Sequence, residues 1–76
     1  MNYQKYITID QKIMAGKPII SGTRIPVDLI IKKLAQKMDV DEILHDYPKL
    51  TKADIQAALW YATEVLSQEE VFPIHA

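Results

Sequence analysis

The chain lacks cysteine and contains little glycine or histidine. Its 76 residues include no cysteine, two glycines and two histidines, His45 and His75. The absence of cysteine excludes disulfide bonds and thiolate metal sites, and so few histidines argue against a histidine-rich metal site. A core of this size supplies only about 3–5 kcal/mol of net stability. We therefore expect self-association, as a homodimer, and neither a metal nor a cofactor.

An excess of positive charge is also missing. Nine Lys and Arg residues are set against ten Asp and Glu residues, which gives a formal net charge of −1. Domains dedicated to nucleic acids usually carry a basic excess, because contacts to phosphate supply most of the affinity. Any DNA binding must therefore come from local clusters of Lys and Arg.

Long apolar runs are missing as well. No stretch approaches the roughly 18 consecutive apolar residues of a membrane span, and residues 1–6 contain no apolar signal-peptide segment. The hydrophobic content of 49% is typical of a globular protein with a packed core. We expect one cytoplasmic domain covering residues 1–76, without membrane association.

The residues that are present predict a mainly α fold. Residues 1–25 form an extended arm, because residues 6–10 and 18–20 are short β-branched segments that favour strands. Residues 26–67 have the apolar spacing of three helices, and residues 68–76 form a tail without helical period. The core stripe of the first helix comprises Val27, Ile30, Ile31, Leu34 and Met38. That of the third comprises Ile55, Ala58, Leu59, Ala62, Val65 and Leu66.

Capping residues mark the second and third helices. Asp39 and Glu42 have the spacing of a capping box, and Pro48 ends the helix that they begin. Thr51 and Asp54 are placed in the same way before the third helix. A short capped helix, a tight turn and a longer capped helix are typical of a helix-turn-helix. The predicted fold is a three-helix helix-turn-helix with a short N-terminal β arm.

The outer face of the third helix suits two kinds of partner. Lys52 and Gln56 could contact DNA, at a phosphate or an adenine edge. Ala53, Ala57 and Trp60 instead predict an apolar strip for contact with a protein. The alternative is that Trp60 is a single exposed aromatic or is covered by the tail. The acidic residues of the preceding helix would repel phosphate.

Residues 16–27, Gly-Lys-Pro-Ile-Ile-Ser-Gly-Thr-Arg-Ile-Pro-Val, are the most distinctive stretch. They do not match a nucleotide-binding P-loop, because the glycine spacing is wrong and no Lys-Ser or Lys-Thr pair follows. We interpret Gly22 as a turn residue with positive φ and Thr23 as a local hydrogen-bonding residue. Lys17 and Arg24 are exposed donors for a carboxylate or a phosphate. The predicted DNA-contacting residues are Lys17, Thr23, Arg24, Lys52 and Gln56.

Residues for catalysis are not apparent in the sequence. No serine, histidine and acid are spaced to suggest a triad, and no cysteine can act as a nucleophile. So small a chain also has little room for a pocket that excludes water. We therefore expect a binding protein, not an enzyme.

The stretch at residues 16–27 resembles a known prokaryotic family when it is taken with four further segments. These are Asp-Glu-Ile at 41–43, Tyr-Pro at 47–48, Leu-Thr at 50–51 and Asp-Ile-Gln-Ala-Ala-Leu at 54–59. The family is the domain of unknown function numbered four hundred and thirty-three, and the resemblance covers about residues 6–66. It implies a homeodomain-like helix-turn-helix. It also implies an antitoxin-like role, because members often sit beside a gene for a PIN-like nuclease.

Our leading functional hypothesis combines the resemblance with the apolar strip. The chain would be the antitoxin-like protein of a toxin–antitoxin module, neutralising a PIN-like RNase toxin and autoregulating its operon. The alternative is a DNA-binding transcriptional regulator without a toxin partner, and a third class is a purely structural oligomerisation module. Phe72 and Ile74 of the tail are further candidate anchors. The predicted partner-binding residues are Ala53, Ala57, Trp60, Phe72 and Ile74.

Overall fold

Three helices and a short two-stranded sheet make up residues 2–68, the part of the chain that this computed structural model describes. The strands are β1 (Ile7–Thr8) and β2 (Ile19–Ile20), and the helices are α1 (Val27–Ala35), α2 (Val40–Asp46) and α3 (Lys52–Gln68). Two short 3-10 helices lie in the arm, at Tyr3–Tyr6 and Met14–Gly16. The predicted mainly α fold with a β arm is confirmed. The predicted anchors Phe72 and Ile74 lie outside the described residues.

The two strands pair antiparallel and rest on the helices. Ile7 is opposite Ile20, Thr8 is opposite Ile19, and Ile19 also forms an isolated bridge with Pro26. An isolated strand pair is marginally stable in water. Here both residues of β2 are buried, so the helices supply the apolar cover that the pair needs. Both predicted strands are found, although each is shorter than predicted.

Local hydrogen bonds fix the beginnings of α2 and α3 as predicted. The Glu42 N–H donates to the Asp39 carboxylate at 2.8 Å, and the Asp39 N–H donates to the Glu42 carboxylate at 3.4 Å. The Asp54 N–H donates to the Thr51 hydroxyl at 3.1 Å, and the Thr51 N–H donates to the Asp54 carboxylate at 2.9 Å. These reciprocal pairs satisfy N–H groups that a helix start leaves unpaired. Both predicted capping boxes are confirmed.

Every helix contributes to one small core. Its fully buried members are Ile20, Val27, Ile30, Ile43, Leu50, Ile55 and Ala58. Met38, which the sequence placed on the stripe of the first helix, lies three residues beyond the end of α1 but still packs against this core. Among residues 2–68, no helix combines the length and the apolarity that crossing a membrane requires.

Helix α3 is turned away from its predicted orientation. Ala57 was predicted on the outer face but is 0% exposed, whereas Leu59 was predicted in the core and is 40% exposed. The reason is that the 3-10 helix Tyr3–Tyr6 packs against α3, with the Tyr3 and Tyr61 rings edge to face at 6.5 Å. The arm thereby covers the side of α3 that carries Ala57 and Tyr61. The apolar strip predicted for partner binding does not include Ala57.

The C-terminus of α1 leads to a stability prediction. The Lys37 N–H donates to the Leu34 carbonyl at 3.0 Å and the Met38 N–H donates to the Lys33 carbonyl at 3.1 Å, which is the Schellman pattern. Lys37 has φ 68, where a side chain is strained by about 1–2 kcal/mol. We expect Lys37→Gly to raise the free energy of unfolding by roughly 1 kcal/mol in urea denaturation.

The matched control places the same change inside the helix. Lys32 is exposed in α1, where glycine has poor helix propensity. Lys32→Gly should lower the free energy of unfolding by roughly 0.5–1 kcal/mol. A Lys37→Gly variant that loses stability as Lys32→Gly does would contradict the strained geometry at Lys37.

Candidate functional sites

An apolar groove runs between α1 and the C-terminal half of α3. Its volume is about 710 Å³. It is lined by Lys17, Pro18, Val27, Asp28, Ile31, Lys32 and Ala35 on one side and by Tyr61, Ala62, Val65 and Leu66 on the other. Helix α1 ends after nine residues while α3 continues for 17, and both helices line the groove. A concave apolar surface of this size is typical of a site for a ligand or a partner segment.

Charge at the groove lies on its rim. Lys17 donates to the Asp28 carboxylate at 3.1 Å, and both side chains are exposed. Lys32 adds a second cation to the rim and forms no ion pair within residues 2–68. The pair between Lys17 and Asp28 contributes little to stability, because both side chains are well solvated. The groove therefore offers an apolar floor with a net positive rim.

The C-terminal half of α3 also exposes apolar side chains outside the groove. Trp60 is 43% exposed within residues 2–68, and Leu59 lies beside it. Ala53 is half-buried at the start of the helix. Exposed apolar side chains inside and outside the groove are typical of a helix that contacts a partner as well as its own core. We call Leu59 and Trp60 the tryptophan face.

A second, more polar hollow lies between the turn that follows β2 and the turn that joins α2 to α3. Its volume is about 520 Å³. It is lined by Thr8, Ile13, Ile19, Gly22, Thr23, Arg24 and Lys49. Arg24 and Lys49 are exposed and form no ion pair within the described residues. We call this surface the Arg24–Lys49 hollow.

The turn beside the Arg24–Lys49 hollow is held by Thr23. Its hydroxyl donates to the Ile20 carbonyl at 2.7 Å and accepts from the Ile25 N–H at 3.0 Å. Gly22 has φ 79, which confirms its prediction as a turn residue with positive φ. The Thr23 hydroxyl proton is thus already used and is not available for a phosphate. Thr23 shapes the hollow, and the other predicted DNA-contacting residues must supply the donors.

The predicted DNA-contacting residues do not form one surface. Lys17 lines the apolar groove, whereas Arg24 lines the Arg24–Lys49 hollow. Lys52 and Gln56 are exposed on the first turns of α3. A further hollow is lined by Asp39, Asp41, Glu42, His45 and Asp46, whose net negative charge repels phosphate. The arm and the start of α3 thus carry the predicted cations, and the outer face of α2 carries the acidic residues.

The pKa of Tyr3 reflects the contact between the arm and α3. Desolvation raises the pKa of this phenol above its ordinary value of 10.0, and the neighbouring Glu64 carboxylate and Tyr61 raise it further. A raised phenol pKa favours the neutral form in the folded chain. This contribution to folding is present below the ordinary pKa and is lost as the pH rises through the raised value.

The sequence did not single out two features of these sites. Lys49 lies in the turn between α2 and α3, and nothing local connects it with Arg24, which is distant along the chain. The outward position of Val65 and Leu66 was also missed, because their helical spacing looks like a core stripe. The groove could not be found from periodicity alone, since periodicity does not show where the covering elements stop.

Comparisons with known proteins agree with the fold. A crystal structure of a DUF433 member protein from Anabaena variabilis has a TM-score of 0.79 and 34% sequence identity, and the match covers 86% of this chain. This chain spans 64% of that solved chain. An uncharacterized protein of Archaeoglobus fulgidus is 54% identical over 26 residues, which is 34% of this chain and 72% of that protein.

The family itself is shown by a match over most of the chain. The sequence pattern of the family described as "Protein of unknown function (DUF433)" matches residues 7–62. The match runs from β1 through the helix-turn-helix into α3, and so contains the Gly-Thr-Arg-Ile-Pro-Val segment. With the fold and this match in agreement, the chain belongs to the DUF433 family.

Proposed function

We propose that this chain is an antitoxin-like binding protein that neutralises a PIN-like RNase, acting by binding and not by catalysis. The observation that carries the proposal is the apolar groove between α1 and α3, about 710 Å³ in volume, with Lys17 and Lys32 on its rim. A nuclease of this class holds its metal ions in an acidic cleft, which a net positive rim complements. The occupant of the groove is an apolar segment of the nuclease beside that cleft.

The open shape of the groove supports a protein partner over a small molecule. The groove is open along the C-terminal half of α3, where Val65 is 39% and Leu66 is 65% exposed. Contiguous exposed apolar side chains often mark a site where a protein partner binds. A few such side chains usually supply most of the binding energy of an interface.

The test is capture of a nuclease. The chain is co-expressed with a PIN-like nuclease encoded beside it, and co-purification and RNase activity are measured. We expect a stable complex with little RNase activity. If the neighbouring gene product is not such a nuclease, or if the nuclease is neither captured nor inhibited, the antitoxin proposal is wrong.

A second candidate function is a DNA-binding transcriptional regulator without a toxin partner. It is favoured by the two cations of the Arg24–Lys49 hollow, which form no ion pair within residues 2–68, and by exposed Lys52 and Gln56. Autoregulation of an operon would use the same residues. Such binding should weaken steeply with salt, because phosphate contacts release counterions. Lys52→Ala should weaken binding to every sequence, whereas Gln56→Ala should mainly relax specificity.

Self-association is a separate expectation that involves the tryptophan face. Trp60 and Leu59 are 43% and 40% exposed and neither lines the groove, so a homodimer could bury them without filling it. Light scattering at micromolar concentration should give twice the chain mass. Trp60→Ala should shift the chain towards monomer, whereas Gln56→Ala on the same helix should not. A monomer for the unaltered chain would contradict the dimer.

A further inference from the structure

The Arg24–Lys49 hollow has a distinctive set of hydrogen-bond donors. Thr23 closes the β-turn by donating from its N–H to the Ile20 carbonyl at 3.0 Å. Within residues 2–68, neither the N–H of Gly22 nor that of Arg24 donates to another protein atom. Free backbone N–H groups of a turn are potential donors to an anion. Gly22 and Arg24 both line the hollow, together with Lys49.

Competing partners for these donors are absent from the lining. The Thr8 hydroxyl is hydrogen-bonded to the Ser21 hydroxyl at 2.8 Å, and the Thr23 hydroxyl is used within the turn. Among the described residues, none that lines the hollow is acidic. The Arg24 guanidinium and the Lys49 ammonium therefore have no internal counter-ion within the described residues. The electrostatic complement of such a hollow is an oxyanion with more than one acceptor oxygen.

We propose that the Arg24–Lys49 hollow is a phosphate-binding site. A tetrahedral phosphate group accepts from the Arg24 guanidinium through two of its oxygens and from the Lys49 ammonium through another. The N–H groups of Gly22 and Arg24, which have no acceptor within residues 2–68, are candidate additional donors. The site does not depend on the groove or on a nuclease. Its ligand is either free phosphate or a phosphate of a nucleic-acid backbone.

The role of Gly22 follows from the same geometry. A Cβ added at this residue would meet no atom within 4 Å, so space is not the reason for glycine here. Its φ of 79 is the reason, because this conformation turns the chain sharply between β2 and Arg24. The turn brings a cation of the arm to the same hollow as a cation that precedes α3.

The first arm of the test uses inorganic phosphate. The native chain is titrated with sodium phosphate at constant ionic strength, and amide NMR shifts are followed. We expect saturable shifts at Gly22 and Arg24, with a dissociation constant on the order of 1 mM for so exposed a site. Arg24→Gln and Lys49→Gln should each weaken binding by roughly ten-fold. Lys37→Gln, which removes an exposed lysine outside the hollow, should leave it unchanged.

The second arm distinguishes the source of the phosphate. Duplex DNA is titrated at several salt concentrations, with and without inorganic phosphate as competitor. If the ligand is the nucleic-acid backbone, DNA binds, and Arg24→Gln and Lys49→Gln each reduce the salt slope by about one. If the ligand is free phosphate, only the first arm shows binding. Shifts that do not saturate, or that are equal in Lys37→Gln and Arg24→Gln, overturn the proposal.

Discussion

Replacing Ile43 with alanine should leave the chain largely unfolded at room temperature. Ile43 is 0% exposed at the centre of the core, where α2 meets β2, α1 and α3. Truncating a fully buried isoleucine costs about 2–5 kcal/mol, because apolar contacts are lost and a cavity remains. The whole domain has only about 3–5 kcal/mol available. One substitution therefore removes most or all of its stability.

Urea denaturation followed by circular dichroism measures this effect, at one fixed chain concentration. Ile43→Val removes a single methylene group and should cost about 0.5–1.5 kcal/mol. Ile9→Ala is the matched surface control, because Ile9 is largely exposed, and should change stability by less than about 0.5 kcal/mol. If Ile43→Ala unfolds at the same urea concentration as Ile9→Ala, the core described above is wrong.

Replacing Leu66 with glutamate should abolish capture of the nuclease. Leu66 lines the groove and is 65% exposed, so the substitution puts a charge on the binding surface without disturbing the core. A carboxylate there must be desolvated when the partner segment docks. We expect affinity to fall by roughly 30-fold or more, the effect of losing an interface anchor. Titration of nuclease activity against the purified chain measures the change.

The matched control for Leu66→Glu is Leu59→Glu. Leu59 lies on the same helix and is also partly exposed, but it does not line the groove. This variant should keep its inhibitory activity, and both variants should retain the helical signal of the unaltered chain. If Leu59→Glu or Trp60→Ala releases the nuclease while Leu66→Glu does not, the tryptophan face is the docking surface. If removal of the tail, residues 68–76, alone releases the nuclease, the tail is the inhibitor.

Substitutions at Arg24 and Lys49 distinguish the phosphate site from the proposed capture of a nuclease. Arg24→Gln and Lys49→Gln change the Arg24–Lys49 hollow and leave the groove intact. They should therefore weaken phosphate or DNA binding while leaving capture of the nuclease unchanged. Leu66→Glu should do the reverse. The proposed function and the phosphate site can thus fail independently.

The sequence by itself determined the features that depend on neighbouring residues. The capping boxes of Asp39 with Glu42 and of Thr51 with Asp54 form between residues three apart, so residue identity and spacing were enough. The turn at Gly22 follows from the freedom of glycine at positive φ. Helix number, the approximate strand positions and the apolar identity of most core residues follow from local pattern in the same way.

Only the tertiary structure decided which side of α3 faces inward and which charges share a surface. The packing of Tyr3–Tyr6 on α3 buries Ala57 and leaves Leu59 exposed. The placement of Arg24 beside Lys49, and of Lys17 on the groove, likewise joins residues distant along the chain. Helical periodicity defines an apolar arc but not the element that covers it. Long-range packing decides which arc is buried, because contacts between elements distant along the chain remove most of the apolar area from water.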